Sequence, residues 1–300
     1  MDGMGLRADT SAFVMQKLAP LTVDYGKALY FSGTDLPGPV KIRVPTRHGA
    51  VSCDLYRPQD DGLLPPVYVH LHRGSFVMRH PRMDDFFARF VAAECRAAVL
   101  NVDYDVAPQV RYPVAQEQAH DAAAWVAAHG RRIGVDGDRV AVGGFSAGGN
   151  LAASAVLQAR DRGSFVPLLQ VLGVPALDLA GDPERKTSPV PTPMVSPSLL
   201  RLVRSTYFRD EARRTEPYAS PLLAPDLSGL PPAVVVTAEY DVLRAEGDAY
   251  AARLAEAGVD VVHRVVTGRD HSFLDGDRER ARSTLDLVAH RLREALGTEP

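Results

Sequence analysis

The sequence specifies an α/β protein in which a mostly parallel central sheet lies between layers of helix. Two observations carry this expectation. From Val40 onward, short apolar runs alternate with longer stretches of helical periodicity, the order that sets parallel strands between helix layers. A chain of 300 residues that is 46% hydrophobic can also bury one large core, so a single domain over 1–300 suffices.

The elements follow in order. Residues 1 to about 38 are mixed in pattern, with a short helix expected around SAFVMQKLA before Gly and Pro breaks. VKIRVP and AVSCDLY alternate as antiparallel strands do, and PVYVHLH reads as a buried strand that ends at a Gly-containing loop. RMDDFFARFVAAEC is helical, AAVLNVDY is a strand, PVAQEQAHDAAAWVAAHG is a helix with Pro113 near its first turn, and RVAVGGF is an apolar strand. Then come helix GNLAASAVLQARD, strands LLQVLGVP and AVVVTAEY, helix AEGDAYAARLAEAG, strand VDVVHRVV and a closing helix in RERARSTLDLVAHRLREAL. Between about 181 and 218 the rhythm fails, as Pro and charge surround one amphipathic piece, SLLRLVRSTYF. Inserted between two strands, this segment is expected to form a lid together with residues 1–38.

Composition narrows the function. The 34 basic and 37 acidic residues are scattered, without the clustered Lys and Arg that phosphate binding needs, so no nucleic-acid partner is expected. Two cysteines, Cys53 and Cys95, cannot make a disulfide framework. The start, MDGMGLRADT, lacks a basic region followed by an apolar one, and no apolar run reaches the roughly 18 residues of a membrane span. A cytoplasmic protein with no membrane span is the expectation.

The sharpest local signal is GGFSAGGN at 143–150. It holds G-x-S-x-G as Gly144, Phe145, Ser146, Ala147 and Gly148, with an apolar strand before it and a helix former run after it. Small residues let the chain reverse sharply, leaving the serine strained and exposed above the sheet at a helix N-terminus that favours developing negative charge. The bland alternative is a tight turn whose serine merely caps the helix. A serine hydroxyl needs a base. Downstream lie three histidines: His263 inside a strand, His290 inside the last helix, and His271 in the loop GRDHSF after a strand, where a sheet edge presents catalytic groups. His271 is therefore the expected base. For the acid, Asp241, one step past the strand end, is preferred to Glu239, and Asp270, adjacent to the histidine, is expected to serve a turn or a surface contact.

With these residues in view, the chain resembles the bacterial hormone-sensitive-lipase family of α/β-hydrolases. GGFSAGGNLAAS, NVDYDVAPQVRYPVAQEQAHDAAAWV, YASPLL, VVVTAEYDVLRAEGDAYAARLAEAG and DHSF carry the likeness, which runs from about 40 to 295. It implies an α/β-hydrolase fold, a lid, and a serine carboxylesterase acting on small-molecule esters of short to medium acyl chains, with no cofactor and no metal. It also implies that the stretch after the third strand is the family's oxyanion loop, whose amides would be those of Gly74 and Ser75, joined by that of Ala147. Here that loop reads His72, Arg73, Gly74, Ser75, Phe76. Every residue but proline has an N–H, so Ser75 keeps the donor, while Arg73 replaces the family's first glycine and must be accommodated if positive φ is required there.

Two readings of Arg73 stay open: its guanidinium reaches the pocket and pairs with a substrate carboxylate or phosphate, or it points away as a surface or structural side chain. His70 and His72 lack a third ligand at recognisable spacing, so a metal site is set aside and His72 is expected to orient the loop. Asp103 is expected to hold that loop by accepting backbone N–H bonds. Arg73, Phe76 and Phe145 are the substrate-binding candidates, and Met78, Phe13, Tyr25 and Tyr207 are further candidates for an acyl pocket. Phe145 departs from the acidic residue common before the family's serine. The same three catalytic residues would serve an acyltransferase or a lactone-forming or lactone-cleaving enzyme, and a ligand-binding protein on a hydrolase scaffold is the alternative of a different class. A homodimer edge at the last strand and helix also stays open.

Overall fold

Eight strands form one sheet in the computed structural model, which describes residues 3–22 and 26–299. The strands are β1 (Val40–Thr46), β2 (Gly49–Tyr56), β3 (Pro66–Leu71), β4 (Ala98–Asp103), β5 (Asp136–Phe145), β6 (Gln170–Gly173), β7 (Ala233–Ala238) and β8 (Val261–Val266). Their spatial order is β1-β2-β4-β3-β5-β6-β7-β8. β2 runs antiparallel to both neighbours, and from β4 to β8 every pairing is parallel. The helices are α1 (Gly3–Thr22), α2 (Asp85–Glu94), α3 (Val114–His129), α4 (Ala147–Arg162), α5 (Pro197–Thr206), α6 (Arg244–Glu256) and α7 (Arg278–Leu296). Every strand and helix expected from the apolar rhythm is present, and the helix expected around SAFVMQKLA is longer than that stretch.

The sheet buries both faces, which is why its central strands are apolar throughout. All six residues of β3 and of β7 are buried, whereas the edge strand β1 is mostly exposed. Strand side chains alternate faces, and they divide the core accordingly. Val67, Val69, Leu71, Val140 and Val142 join residues of α3, α4 and α6 in one apolar cluster. Tyr68, Ala141 and Phe145 join residues of α2 and α7 in the other. Strands β3 and β5 sit at the centre of the sheet, so the turns leaving their C-terminal ends meet in a crevice above it.

Two segments outside the sheet border that crevice. α1 and α5 pack against each other. Asp9 pins α1 through Arg111 at 2.8 Å and Arg209 at 3.0 Å. α5 lies in the 181–218 insert and starts at a true cap, where Ser196 Oγ accepts from the Leu199 amide at 3.2 Å. The insert is further tied to the body by Lys186, whose Nζ lies 2.6 Å from the buried Glu246 of α6. Burial pushes the Glu246 carboxyl up to about 7 against the pull of Lys186.

Candidate active site

The turn from β5 into α4 leaves no residue between strand and helix but Ser146. Ser146 sits at φ 55° and ψ −117°, a strained conformation for a residue with a side chain, worth about 1–3 kcal/mol. Its amide donates to the Gly173 carbonyl at 2.8 Å and its carbonyl accepts from Asn150 at 3.2 Å, so the strain is held from both sides. Glycine is obligatory at Gly144 and Gly148 because a Cβ at either would collide with the backbone carbonyl of Leu71 on β3. The G-x-S-x-G spacing is thus a packing requirement of the elbow against the neighbouring strand.

The turn presents Ser146 to His271. His271 Nε2 lies 2.8 Å from Ser146 Oγ, and His271 Nδ1 lies 2.8 Å from Asp241 Oδ2. The Asp241 carboxylate selects the tautomer with hydrogen on Nδ1, which leaves Nε2 free to accept from the serine hydroxyl. All three are buried, at 8%, 8% and 5% exposure for Ser146, His271 and Asp241. Asp241 is steadied by the Leu243 amide, which donates to Oδ1 at 3.0 Å. The rejected candidates have other work. Glu239 accepts from the Gly268 amide at 2.6 Å, and Asp270 accepts from the Met194 amide at 2.7 Å, tying the insert to the histidine loop. His263 contacts Asp248 and Thr237 at the far edge strand, and His290 lies exposed on α7.

The loop after β3 closes the site from the opposite side. Positive φ falls on Gly74 (140°), Ser75 (54°) and Phe76 (58°), and Arg73 stays in the ordinary region, so its side chain costs no backbone strain. Gly74 is needed here because a Cβ would stand 2.7 Å from the Met78 carbonyl. The Gly74 carbonyl accepts from the amides of Val77 at 3.0 Å and Met78 at 2.8 Å, while the amides of Gly74 and Ser75 meet no acceptor among the described residues. Gly74 and Ser75 line the cavity over Ser146, and Ser75 and Ala147 line a second, smaller one beside it.

A buried carboxylate holds this loop, and it is Asp84 rather than the expected Asp103. Asp84 Oδ2 accepts from the Arg73 amide at 3.1 Å and lies 3.0 Å from His70 Nε2, while Oδ1 accepts from Arg73 Nε at 2.7 Å. Burial pushes its pKa up, but the Arg73 charge and the bonds from His70 and Arg73 outweigh it and keep the carboxyl well below the usual range. Asp103 instead pairs with Arg79 Nε at 2.8 Å, because it stands at the end of β4, one strand farther from the loop. His72 orients the loop as expected: Nδ1 donates to the Arg73 carbonyl at 2.6 Å, and the ring stacks on Tyr104 at 4.3 Å. Burial depresses the His72 pKa to about 4, so the ring is neutral at pH 7. Among the described residues no group of His, Cys, Asp or Glu is placed to hold a metal ion.

The substrate-binding candidates divide. Arg73 lines the larger cavity, its charge is matched by Asp84, and its guanidinium lies 5.2 Å above the Phe145 ring. Phe76 is buried at 2% exposure between Tyr207 and Phe208 and walls the smaller cavity. Phe145 is a correction: it walls neither cavity. It shares the Ala141 face of β5 and packs beneath the sheet against Phe87 at 4.7 Å and Phe273 at 5.6 Å, in space left by Gly173. Met78 lines the larger cavity, Phe13 is exposed, and Tyr207 is buried with its hydroxyl bonded to Gln116 at 2.7 Å. Tyr25 lies outside the described residues. Missed from the sequence were Val14, Met15 and Leu18 of α1 and Met194, Val195 and Leu199 of the insert, which complete a cavity of about 800 Å³ around Ser146 and His271.

A family model described as the alpha/beta hydrolase fold matches residues 68–275. The chain belongs to that family. Within it the likeness to the hormone-sensitive-lipase branch holds. An arylesterase of Saccharolobus solfataricus is 36% identical over 225 residues, covering 74% of this chain and 73% of that protein. The carboxylic ester hydrolase LipN of Mycobacterium tuberculosis is 32% identical over 283 residues, covering 92% of this chain and 73% of LipN. Among solved structures, an esterase of Pyrobaculum calidifontis superposes with a TM-score of 0.81 at 34% identity, covering 100% of this chain and 94% of the other. This hydrolase therefore has its serine, histidine and aspartate on a scaffold shared with enzymes named for ester cleavage.

Proposed function

We propose that this α/β-hydrolase is a serine carboxylesterase that cleaves small esters of short to medium acyl chains through an acyl-enzyme. The observation that carries the reading is the unbroken hydrogen-bonded chain from Ser146 Oγ through His271 to Asp241. His271 Nε2 takes the serine proton as Oγ attacks the ester carbonyl, and Asp241 holds the imidazole and stabilises the imidazolium. The oxyanion is met by the amides of Gly74, Ser75 and Ala147, with the α4 N-terminus behind the last of them. His271 then gives its proton to the departing alcohol oxygen, and water repeats the cycle to release the acid. The names of the relatives, an arylesterase and a carboxylic ester hydrolase, support the same chemistry.

α1 and the insert around α5 act as a lid on a single domain. Their residues Val14, Leu18, Met194 and Leu199 form an apolar roof over Ser146, which keeps bulk water from the acyl-enzyme while leaving the mouth open to an ester. The test is hydrolysis of p-nitrophenyl esters by wild type beside Ser146→Ala. Turnover of short esters is expected, with a fall of at least about 10³-fold in kcat in the variant. Retained turnover in Ser146→Ala, or none in folded wild type, would refute the reading.

A further inference from the structure

A row of buried polar side chains crosses the apolar space between the insert and the serine turn. Tyr207, just past α5, Gln116 of α3 and Asn150 of α4 are each fully buried. The Tyr207 hydroxyl donates to Gln116 Oε1 at 2.7 Å and accepts from the Ala115 amide in the first turn of α3 at 2.8 Å. Gln116 Nε2 donates to Asn150 Oδ1 at 3.1 Å. Asn150 Nδ2 then donates to the carbonyls of Ala176 at 2.8 Å and Ala219 at 2.9 Å. The row ends on the backbone of the serine itself, because the Ser146 carbonyl accepts from the amides of Asn150 at 3.2 Å and Ala176 at 3.3 Å.

At its other end the row reaches the loop after β3. The Tyr207 ring stacks on Phe76 at 5.1 Å with the two planes 9° apart. Phe76 directly follows Gly74 and Ser75, whose amides the esterase reading assigns to the oxyanion. We infer that Gln116 is a positioning residue for the reaction: it joins Tyr207 to Asn150 and so fixes the Phe76 end of that loop relative to the turn that carries Ser146. The inference rests on the esterase reading and adds to it a residue that lies wholly behind the pocket.

The chemistry of the row argues for placement rather than filling. A leucine fills nearly the volume of Gln116 and has no polar group to desolvate, whereas a buried amide costs stability unless both of its ends are bonded. Here both ends are bonded, and the orientations follow from one another. Asn150 must turn its nitrogen to two carbonyls, which leaves its oxygen for Gln116 Nε2 and leaves Gln116 Oε1 for the tyrosine proton. A fully paired row of this kind has one arrangement, while apolar packing in the same space tolerates repacking. Small shifts matter at its end, since the amides must stand about 3 Å from the developing charge and a misplacement of about 1 Å costs up to about 100-fold in rate.

The experiment measures kcat and KM on p-nitrophenyl acetate, with the melting temperature, for wild type, Gln116→Leu, Tyr207→Phe, their double variant and Gln158→Leu. Tyr207→Phe keeps the ring on Phe76 and removes the hydroxyl alone, so it carries the test where Gln116→Leu does not fold. Gln158→Leu is the control for any buried polar loss, because Gln158 Nε2 bonds the Gln116 carbonyl at 2.9 Å and Ser154 Oγ at 3.2 Å, outside the row. Tyr207→Phe and Gln116→Leu are each expected to lower kcat at least about tenfold while KM stays within about threefold. The double variant should be no slower than Gln116→Leu, since both changes remove the same Tyr207–Gln116 bond. Gln158→Leu should lower the melting temperature and leave kcat within about twofold of wild type. An unchanged kcat in folded Tyr207→Phe, losses that multiply in the double variant, or an equal loss of kcat in Gln158→Leu would overturn the inference and leave the esterase standing. Absence of turnover in folded wild type on every ester would instead overturn the esterase reading and this assignment with it.

Discussion

Asp84 shows how a residue without chemistry of its own can hold the loop that faces Ser146. Its two oxygens meet the Arg73 amide, the Arg73 guanidinium and His70, so one buried charge sets the path of the backbone that leads into Gly74 and Ser75. Its pKa is depressed in the folded protein, which means the folded state binds the proton more weakly than the unfolded chain does. The stabilisation is complete above the ordinary carboxylate value of about 4 and is lost as pH falls below it. Asp84→Asn should therefore lower the melting temperature at pH 7, flatten its fall toward pH 3 relative to wild type, and cut kcat about tenfold or more with a smaller change in KM. Melting temperature against pH for both proteins checks this; parallel curves would contradict it. Nothing in the sequence singled Asp84 out, because in RMDDFF it looks like a helix-start aspartate and its partners lie 11 and 14 residues upstream. Ser146, Asp241 and His271 were legible because each stands at a strand end in a local pattern whose geometry is nearly invariant.

At the scale of elements, the elbow between β5 and α4 depends on the neighbouring strand as much as on its own residues. β5 and β3 are paired in register from Val67 to Leu71, and the chain must turn directly against the Leu71 carbonyl. Gly148→Ala should cost about 3 kcal/mol, read as a loss of soluble folded protein or a melting temperature lowered by several degrees. A variant as stable as wild type would show that the approach to Leu71 is not a constraint. The strands and helices themselves were readable from apolar rhythm, since a two-sided buried sheet leaves nearly continuous apolar runs. The opening segment and the insert were readable only as breaks in that rhythm. Which of their side chains face Ser146 depends on how α1 and α5 pack on each other, a contact between residues nearly 200 apart that no local pattern encodes. Phe145 failed for the same reason in reverse: its place beside the serine suggested the pocket, and strand alternation sent it to the other face.

For the whole molecule, one sheet buried on both faces places the serine turn and the loop after β3 at adjacent strand ends, while the loops that carry Asp241 and His271 come from β7 and β8 on the same side. Residues of α1 and of the insert, with Met78 and Met83, line the cavity above Ser146. No helix among the described residues is long and apolar enough to cross a membrane. The central claim is that Ser146 is a nucleophile activated by His271. Treating the folded protein with a fluorophosphonate and locating the adduct by peptide mass spectrometry tests it most directly. The account predicts stoichiometric modification of the peptide containing Ser146, abolished in His271→Ala and slowed by p-nitrophenyl acetate. Modification elsewhere, or none at Ser146 in a folded sample, would contradict it.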